Sequence, residues 1–269
     1  DHLFYKYAPE LKTNGRTKAG TPVYVQLLGS DPEALAANAY RAYELGALGI
    51  DLNFGCPAKT VNRHDGGASL LKKPERLFDV ISAVRKIIPT DTPVTAKVRL
   101  GFDTKDYVTD IAQAVDRAGA TRLTVHARTK VEAYRPPAHW EFIAKMKDSV
   151  SLPVVANGDI WSVEDYHRCR EVSGCEDVAL GRGAFAMPNL ARQIKASVPA
   201  LDWETLNSEI IPDFINQGYE INSDAFALRR TKQWTKHLAR NYPESQMLFD
   251  QIKRVTDFRE LASQYGLNS

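Results

Sequence analysis

The chain has 269 residues, of which 43% are hydrophobic and 25% charged, and this composition excludes a largely disordered protein. Lys and Arg total 35 against 33 Asp and Glu, so the net charge of +2 excludes a polycation that coats nucleic acid. Three cysteines argue against a disulfide framework, and no apolar run is long enough to span a membrane. Because a signal-like amino terminus is also missing, we expect a cytoplasmic protein.

Short β-branched runs alternate with helical patterns from Val23 onward. The helical patterns carry apolar residues at spacings of three and four, as in Leu77, Val80, Ile81 and Val84. The predicted strands are 23–29, 49–57, 94–101, 122–129, 154–160 and 177–185. The predicted helices between them are 32–46, 74–88, 108–119, 140–147 and 163–173.

Residue types at the helix ends support these boundaries. Asp31 and Ser162 are typical amino-terminal caps, and Gly46 and Gly119 stand where two of the helices would end. Strands that alternate with helices form parallel βαβ units, and the sequence predicts six of them. The fold class is therefore α/β.

Polar residues at or near the carboxyl end of every predicted strand favour a TIM (β/α)8 barrel. A barrel builds its site from all its strands, whereas a doubly wound sheet concentrates its site at one switch point. These residues are Gln26, Asn53, Cys56, Lys97, Arg99, His126, Asn157, Asp159 and Arg182. Residues 1–22 are too short and too polar to supply two further strands, so we expect the first two barrel strands to be missing. The chain also opens on Asp1 instead of Met, which indicates a fragment.

Beyond about residue 200 the strand pattern stops. The sequence predicts a barrel domain over 1–200 and a small helical domain over 201–269. Within the helical domain, residues 225–242 include five Lys and Arg and no acidic residue. The stripe residues with spacings of three and four, and therefore on one predicted helix face, are Arg229, Lys232, Lys236 and Arg240.

This basic helix has two interpretations. A charged stripe on a helix is most often a solvated face. Without any compensating Asp or Glu, and with Trp234 and Tyr242 nearby, the stripe also suits a phosphate backbone. Any nucleic-acid site would thus be a local patch on a chain of nearly neutral charge.

Residues 51–71, DLNFGCPAKTVNRHDGGASLL, contain the strongest local signal. The strand ends near Asn53, and Gly55-Cys56-Pro57 makes a tight turn at the end of the strand where a barrel holds its site. A lone cysteine is most often a small buried side chain. A thiol at this position also suits a nucleophile or a proton donor.

Two glycine-containing segments follow the last predicted strands, ANGDI (156–160) and LGRGAF (180–185). In (β/α)8 enzymes the loops after the last two strands often hold a phosphate through backbone N–H groups. Glycines there allow the backbone to approach an anion, and Arg182 adds charge. Glycines serve equally in ordinary turns, so the phosphate site is one of two interpretations.

Lys97 and Arg99 are two residues apart on one strand, so both side chains point to the same side. A buried cation is costly without an anion. The two therefore either pair with Asp51 or Asp159, or they face an anionic ligand.

His126 is either a core histidine or, together with Gln26 and Lys97, part of a donor set for a polar, anionic cofactor. No metal site is predicted, because the sequence has neither a CxxC nor an HExxH motif. A Rossmann dinucleotide site is not predicted either, since no GxGxxG follows the first strand.

Taken in order, these motifs resemble those of the tRNA-dihydrouridine synthases. The motifs are VQLLG, DLNFGCPAKTVN with the downstream GGASLL, KVRLG, VHART, VVANGDI and ALGRGAF. The resemblance runs from about Pro22 to Gly183, and more loosely to the basic helix. It is greatest with the bacterial subgroup that acts on uridine 16 of the tRNA D-loop. It implies an FMN-binding TIM barrel followed by a helical tRNA-binding domain.

The resemblance also implies a role for each matching residue. Cys56 corresponds to the catalytic cysteine, and Asn53 and Arg99 would face the substrate uracil. The FMN contacts would be Gln26, Lys97, His126, Asn157, Gly158, Asp159, Gly181 and Arg182. The tRNA contacts would be Arg230, Thr231 and Lys232.

The implied reaction reduces the C5–C6 double bond of a D-loop uridine with NADPH as reductant, and Cys56 would protonate C5. We expect the enzyme to be a monomer. Two other interpretations stay open. One is a different FMN-dependent barrel enzyme for a small substrate, such as a dihydroorotate or dihydropyrimidine dehydrogenase, which would not need the helix at 225–242. The other is a non-catalytic RNA-binding relative, against which the intact Cys56 argues.

Overall fold

The computed structural model describes residues 1–221 and 223–267, and these form two compact units. The first unit contains Asp1–Gly158 and His167–Ala179, and the second contains Asp159–Tyr166 and the residues from Leu180 onward. The predicted domain over 201–269 includes Asn222, Asn268 and Ser269, which lie outside the described residues. No helix in the described part of the chain is long and apolar enough to cross a bilayer.

The first unit alternates strands and helices. Strands β1–β6 are Val25–Leu27, Ile50–Asn53, Val94–Arg99, Arg122–His126, Val154–Asn157 and Asp177–Ala179. Helices α1–α7 are His2–Tyr7, Pro32–Glu44, Lys59–Arg63, Pro74–Ile87, Val108–Arg117, Trp140–Asp148 and Val163–Ser173. Short 3₁₀ helices cover Pro9–Thr13 and Gly67–Lys72. The first turn of α7 belongs to the second unit.

The six strands are all parallel and pair in sequential order from β1 to β6. Sequential pairing with a helix between successive strands is the arrangement of a (β/α)8 barrel, whereas a doubly wound sheet reverses its order at a switch point. The predicted barrel class is confirmed, with six strands in the described residues. Residues 1–22 form helices and one isolated bridge, and no strand is found among them.

The core of the first unit lies between the sheet and its helices. Strand residues such as Val94 and Leu123 are 0% exposed, and so are Ile81 of α4 and Ile111 of α5. The apolar spacing of three and four on α4 places one face of that helix in the core, as the sequence predicts. This packing holds the carboxyl ends of the strands in fixed register.

The predicted helix ends are confirmed. The Asp31 carboxylate accepts a hydrogen bond from the backbone N–H of Ala34 over 2.7 Å at the start of α2. The Ser162 hydroxyl accepts one from the N–H of Asp165 over 3.2 Å at the start of α7. Gly46 follows α2 with φ of 97°, a conformation that favours glycine.

The second unit is helical apart from the segment 159–162. Helices α8–α14 are Arg182–Ala186, Leu190–Ala196, Trp203–Thr205, Ile211–Ile221, Asp224–Leu238, Pro243–Ile252 and Phe258–Gln264, and a π-helix covers Leu206–Ile210. Their buried core includes Leu206, Ile215, Leu238, Ile252 and Leu261. The strand predicted over 177–185 is too long, because the chain is helical from Arg182 onward. Helices α8 and α9 group with the helices that follow them.

Candidate active site

A hydrogen-bonded network joins side chains of β1, β2 and β3. The Asp51 carboxylate accepts from the hydroxyl of Thr95 over 2.6 Å and from the amide of Gln26 over 2.7 Å. The amide of Asn53 then donates to Oε1 of Gln26 over 2.9 Å. Strand pairing places Gln26, Asp51 and Thr95 at the same level of the sheet. The network therefore orients two predicted site residues, Gln26 and Asn53, side by side.

The Cys56 loop, residues 54–58, connects β2 to α3 and is held by hydrogen bonds to its backbone. Asn53 Oδ1 accepts from the N–H of Gly55 over 2.9 Å. The carbonyl oxygen of Cys56 accepts from Nδ2 of Asn62 over 2.9 Å and from the N–H of Ala68 over 3.2 Å. Cys56 is half-buried and its thiol is free. The structure thus presents a single thiol on a loop whose backbone is fixed on both sides.

Gly67 allows the Cys56 loop to close on the following 3₁₀ helix. Its φ is 59°, and a Cβ there would lie 2.9 Å from the carbonyl oxygen of Cys56 and 3.0 Å from its Cβ. A side chain at this position would therefore displace Cys56. This close approach explains the second glycine of the pair in the sequence motif.

Arg99 is buried at the end of β3, with only 2% of its surface exposed. Its Nε donates to the carbonyl oxygen of Gly55 over 2.8 Å. Its Nη1 donates to the carbonyl oxygens of Thr129 and Ala133 over 3.2 and 3.0 Å. Burial lowers the pKa of Arg99, while the neighbouring Tyr134 acts in the opposite direction. Arg99 therefore clamps the Cys56 loop to the turn after β4, and backbone carbonyls take the place of the predicted carboxylate partners.

Lys97 lies on the same strand, and it has no hydrogen bond or ion pair within residues 1–221 and 223–267. Burial lowers the pKa of Lys97, the charge of Arg99 lowers it further, and Asp51 opposes both. Asp51 is a charged neighbour, but its oxygens are bonded to Gln26 and Thr95. A half-buried ammonium group without a hydrogen bond or an ion pair is suited to contact an electron-rich atom of a ligand.

His126 ends β4 and is 6% exposed. Its Nε2 lies 3.5 Å from Nη1 of Arg128, a fully buried arginine whose Nε donates to the carbonyl oxygen of Arg135 over 2.6 Å. Because a guanidinium only donates, this contact favours the histidine tautomer with its proton on Nδ1. Arg128 is part of the VHART motif, but no role is predicted for it from the sequence. Its position two residues after a strand-end histidine is the signal that could have identified it.

Asn157 and Gly158 end β5 and complete the first unit's part of the candidate site. The Asn157 amide donates to the carbonyl oxygen of Ala179 over 2.7 Å, which ties β5 to β6. Gly158 has φ of 129°, and a Cβ there would lie 3.2 Å from Cδ2 of His126. The backbone of Gly158 therefore approaches the histidine more closely than another residue would allow.

In the second unit, the predicted residues Asp159, Gly181 and Arg182 lie close together. Nη2 of Arg182 is 3.4 Å from Oδ1 of Asp159. Gly183 lies two residues after Gly181. A Cβ on Gly183 would lie 2.0 Å from the carbonyl oxygen of Ile160, so α8 begins directly against the 159–161 segment. Gly183 therefore serves the packing of α8 against this segment, and the predicted approach of the glycines to an anion stays a prediction.

The three predicted tRNA contacts differ in their surroundings. Arg230 is exposed and donates to Gln233 over 2.8 Å. Thr231 is 0% exposed, and its hydroxyl donates to the carbonyl oxygen of Ala227 over 2.9 Å. The expectation for Thr231 needs correction, because a buried hydroxyl bonded to its own helix does not reach RNA.

Lys232 also departs from the predicted stripe. Its Nζ donates to the carbonyl oxygens of Lys253 and Val255, just beyond the end of α13. A lysine there satisfies carbonyls that a helix end leaves unpaired. Arg229 and Lys236 are exposed on α12, Arg240 is exposed two residues beyond its end, and these three residues form what we call the basic face.

Glu132, which sequence analysis did not single out, closes the turn after β4. Its Oε2 accepts from the N–H of Thr129 over 2.7 Å, and its Oε1 pairs with Lys105 and lies 3.2 Å from Nε2 of His139. Burial raises the pKa of Glu132, but hydrogen bonds from Lys105 and Thr129 outweigh burial and lower it to about 2. The turn that supplies two carbonyls to Arg99 is thereby held at both ends.

Parallel strand–helix units with a free thiol and polar side chains at the strand ends define an enzyme of the barrel class. The chain matches the family described as dihydrouridine synthase (Dus) over residues 2–265, and it belongs to that family. It is therefore a flavin-dependent oxidoreductase.

Named relatives are similar along nearly the whole chain. The tRNA-dihydrouridine(16) synthase of Pseudomonas putida is 49% identical, over 99% of this chain and 84% of the relative. The proteins of the same name from Pseudomonas syringae and Neisseria meningitidis are 50% and 45% identical. These matches cover 95% and 96% of this chain, and 82% and 79% of the two relatives.

The Glu132 carboxylate gives a testable pH dependence. Its pKa of about 2 lies below the ordinary value of 4.5, so its stabilising effect is complete above pH 4.5 and is lost as the pH falls toward 2. Glu132→Gln should lower the free energy of unfolding at pH 7 by about 2 kcal/mol, because it removes the charge that these hydrogen bonds stabilise. The effect is no larger because water reaches part of the carboxylate and screens it. Urea unfolding between pH 7 and pH 3 measures both effects.

The difference between wild type and Glu132→Gln should shrink steadily below pH 4.5. Glu141→Gln is the matched control, because Glu141 is an exposed carboxylate beside the same histidine. A difference between wild type and Glu132→Gln that stays constant across this range contradicts the assignment.

Proposed function

We propose that this protein reduces the C5–C6 double bond of uridine 16 in the D-loop of tRNA, with FMN as cofactor and NADPH as reductant. The observation that carries the proposal is the Cys56 loop, where a free, half-buried thiol follows Gly55, whose backbone N–H is hydrogen-bonded to Asn53. The named relatives support the choice of tRNA and of position 16. We propose that the protein acts as a cytoplasmic monomer.

The residues present fit a bound flavin. In the first unit, Lys97 has an ammonium without a partner in the described residues. In the second unit, the guanidinium group of Arg182 suits the phosphate. The proposed FMN contacts are Gln26, Lys97, His126, Asn157, Gly158, Asp159, Gly181 and Arg182. When bound and reduced, the flavin supplies the hydride that adds to C6 of the uracil.

The chain's own residues would then handle the base and the proton. The target uridine has to leave its stack to enter the site. Asn53 keeps a second amide hydrogen beyond its bond to Gln26, and that hydrogen is suited to a uracil carbonyl oxygen as negative charge develops there. Arg99 holds the Cys56 loop and adds positive charge on the same side. Cys56 donates its proton to C5 and regains one from solvent.

The helical domain would bind the tRNA. We propose domain 1–200 as catalytic and domain 201–269 as tRNA-binding. The basic face presents Arg229, Lys236 and Arg240, and Arg230 lies beside it on the same helix. Cations arranged in this way neutralise successive backbone phosphates.

Cys56→Ala should keep its bound flavin and lose dihydrouridine formation by at least about 100-fold, because the proton donor is removed while the flavin contacts remain. Flavin absorbance of the purified protein and mass spectrometry of the tRNA product measure the two properties. Cys175→Ala is the control: Cys175 is also a free cysteine, but it is buried and is not among the proposed site residues, so that turnover should persist. Unchanged turnover in Cys56→Ala would falsify the role of the thiol.

Arg229→Gln combined with Lys236→Gln should weaken tRNA binding and lower the slope of log K against log salt by about 2, since two phosphate contacts are lost. Filter binding of tRNA over a range of salt concentrations measures the slope. Arg254→Gln removes an exposed charge outside α12 and serves as the control. An unchanged affinity and slope would favour a small substrate over tRNA.

A further inference from the structure

Trp161, which has no role in the proposed function, is the centre of a charged cluster in the second unit. Cζ of Arg240 lies 4.0 Å from the centroid of the Trp161 ring, and Cζ of Arg182 lies 5.0 Å from it. The indole N–H donates to Oδ1 of Asp159 over 3.3 Å, and the same oxygen lies 3.4 Å from Nη2 of Arg182. One half-buried indole therefore contacts two cations and the carboxylate that pairs with one of them.

The elements that carry this cluster are packed tightly against each other. A Cβ on Gly183 would lie 2.0 Å from the carbonyl oxygen of Ile160, the residue before Trp161. On the other side of α8, the indole N–H of Trp234 donates to the carbonyl oxygen of Phe185 over 3.0 Å. Helix α12 is thus fixed to α8, and α8 is fixed to the segment that carries Trp161. The arginine–indole contacts therefore join elements that are packed against each other.

Positive charge predominates around α8. Burial lowers the pKa of His237, and the charges of Arg182 and Lys236 lower it further. The guanidinium group of Arg240, at the end of the basic face, lies over the same indole as that of Arg182. A potential of this sign stabilises a bound phosphate dianion.

We propose that Trp161 is a positioning residue for the cofactor phosphate, holding the Arg182 guanidinium in place while Arg240 holds Trp161. The inference rests on the proposed function, because the phosphate is that of FMN. An arginine already held on a ring face and by a carboxylate loses less conformational entropy when it binds a phosphate. Arg240 would then serve the cofactor loop as well as the basic face.

Riboflavin lacks the phosphate, so comparing it with FMN separates this role from a general structural one. Affinities of the purified chain for both flavins are measured by quenching of flavin fluorescence. Trp161→Leu and Arg240→Met should each weaken FMN binding about 5- to 30-fold and leave riboflavin binding within about twofold of wild type. Trp161→Phe keeps a ring face but loses the N–H bond to Asp159, and the loss of FMN affinity should be smaller.

The control is Arg259→Met, which removes an exposed arginine of α14 and should bind FMN as wild type does. Variants that bind FMN as tightly as a wild type that prefers FMN overturn the positioning role and leave the proposed function intact. Equal losses for FMN and riboflavin also overturn it, because that pattern marks a structural role. If the wild type binds both flavins equally, or neither, the assignment of Arg182 to the phosphate fails, and the proposed cofactor fails with it.

Discussion

The candidate site depends on the burial of one guanidinium group. Arg99 is 2% exposed, and a cation removed from water requires compensating partners. It finds them in backbone carbonyls, that of Gly55 on one side and those of Thr129 and Ala133 on the other. Because these carbonyls belong to the Cys56 loop and to the turn after β4, one side chain fixes both loops. The hydrogen bonds that compensate the buried charge of Arg99 therefore also hold the loop that carries the Cys56 thiol.

The carboxylates of Asp51 and Glu132 both have other partners, and Lys97 therefore stays available to a ligand. Asp51 is satisfied by the amide of Gln26 and the hydroxyl of Thr95, and Glu132 is satisfied by Lys105 and the N–H of Thr129. In the part of the chain that the structure describes, Lys97 is left without a hydrogen bond or an ion pair. An ammonium in this state gains most from an electron-rich ligand, and this favours a cofactor at this point.

Local signals in the sequence predicted the strands, the helices and the Asp31 cap, because each depends on residues close together in the chain. The partners of buried polar groups could not be predicted in this way. Arg99 bonds to carbonyls 30 to 44 residues away, and no pattern around β3 indicates them. Helical spacing placed Lys232 on a charged face, but spacing does not show that the end of α13 lies beside it. Burial of Thr231 was missed for the same reason.

We propose that this chain reduces one D-loop uridine of tRNA with flavin and NADPH. The most direct measurement incubates the purified chain with an unmodified tRNA transcript, FMN and NADPH, and then maps ribonuclease fragments by mass spectrometry. We expect a mass gain of two hydrogen atoms in the fragment that contains uridine 16 and in no other fragment. A tRNA without any mass gain, or with the gain at a different uridine, would contradict it.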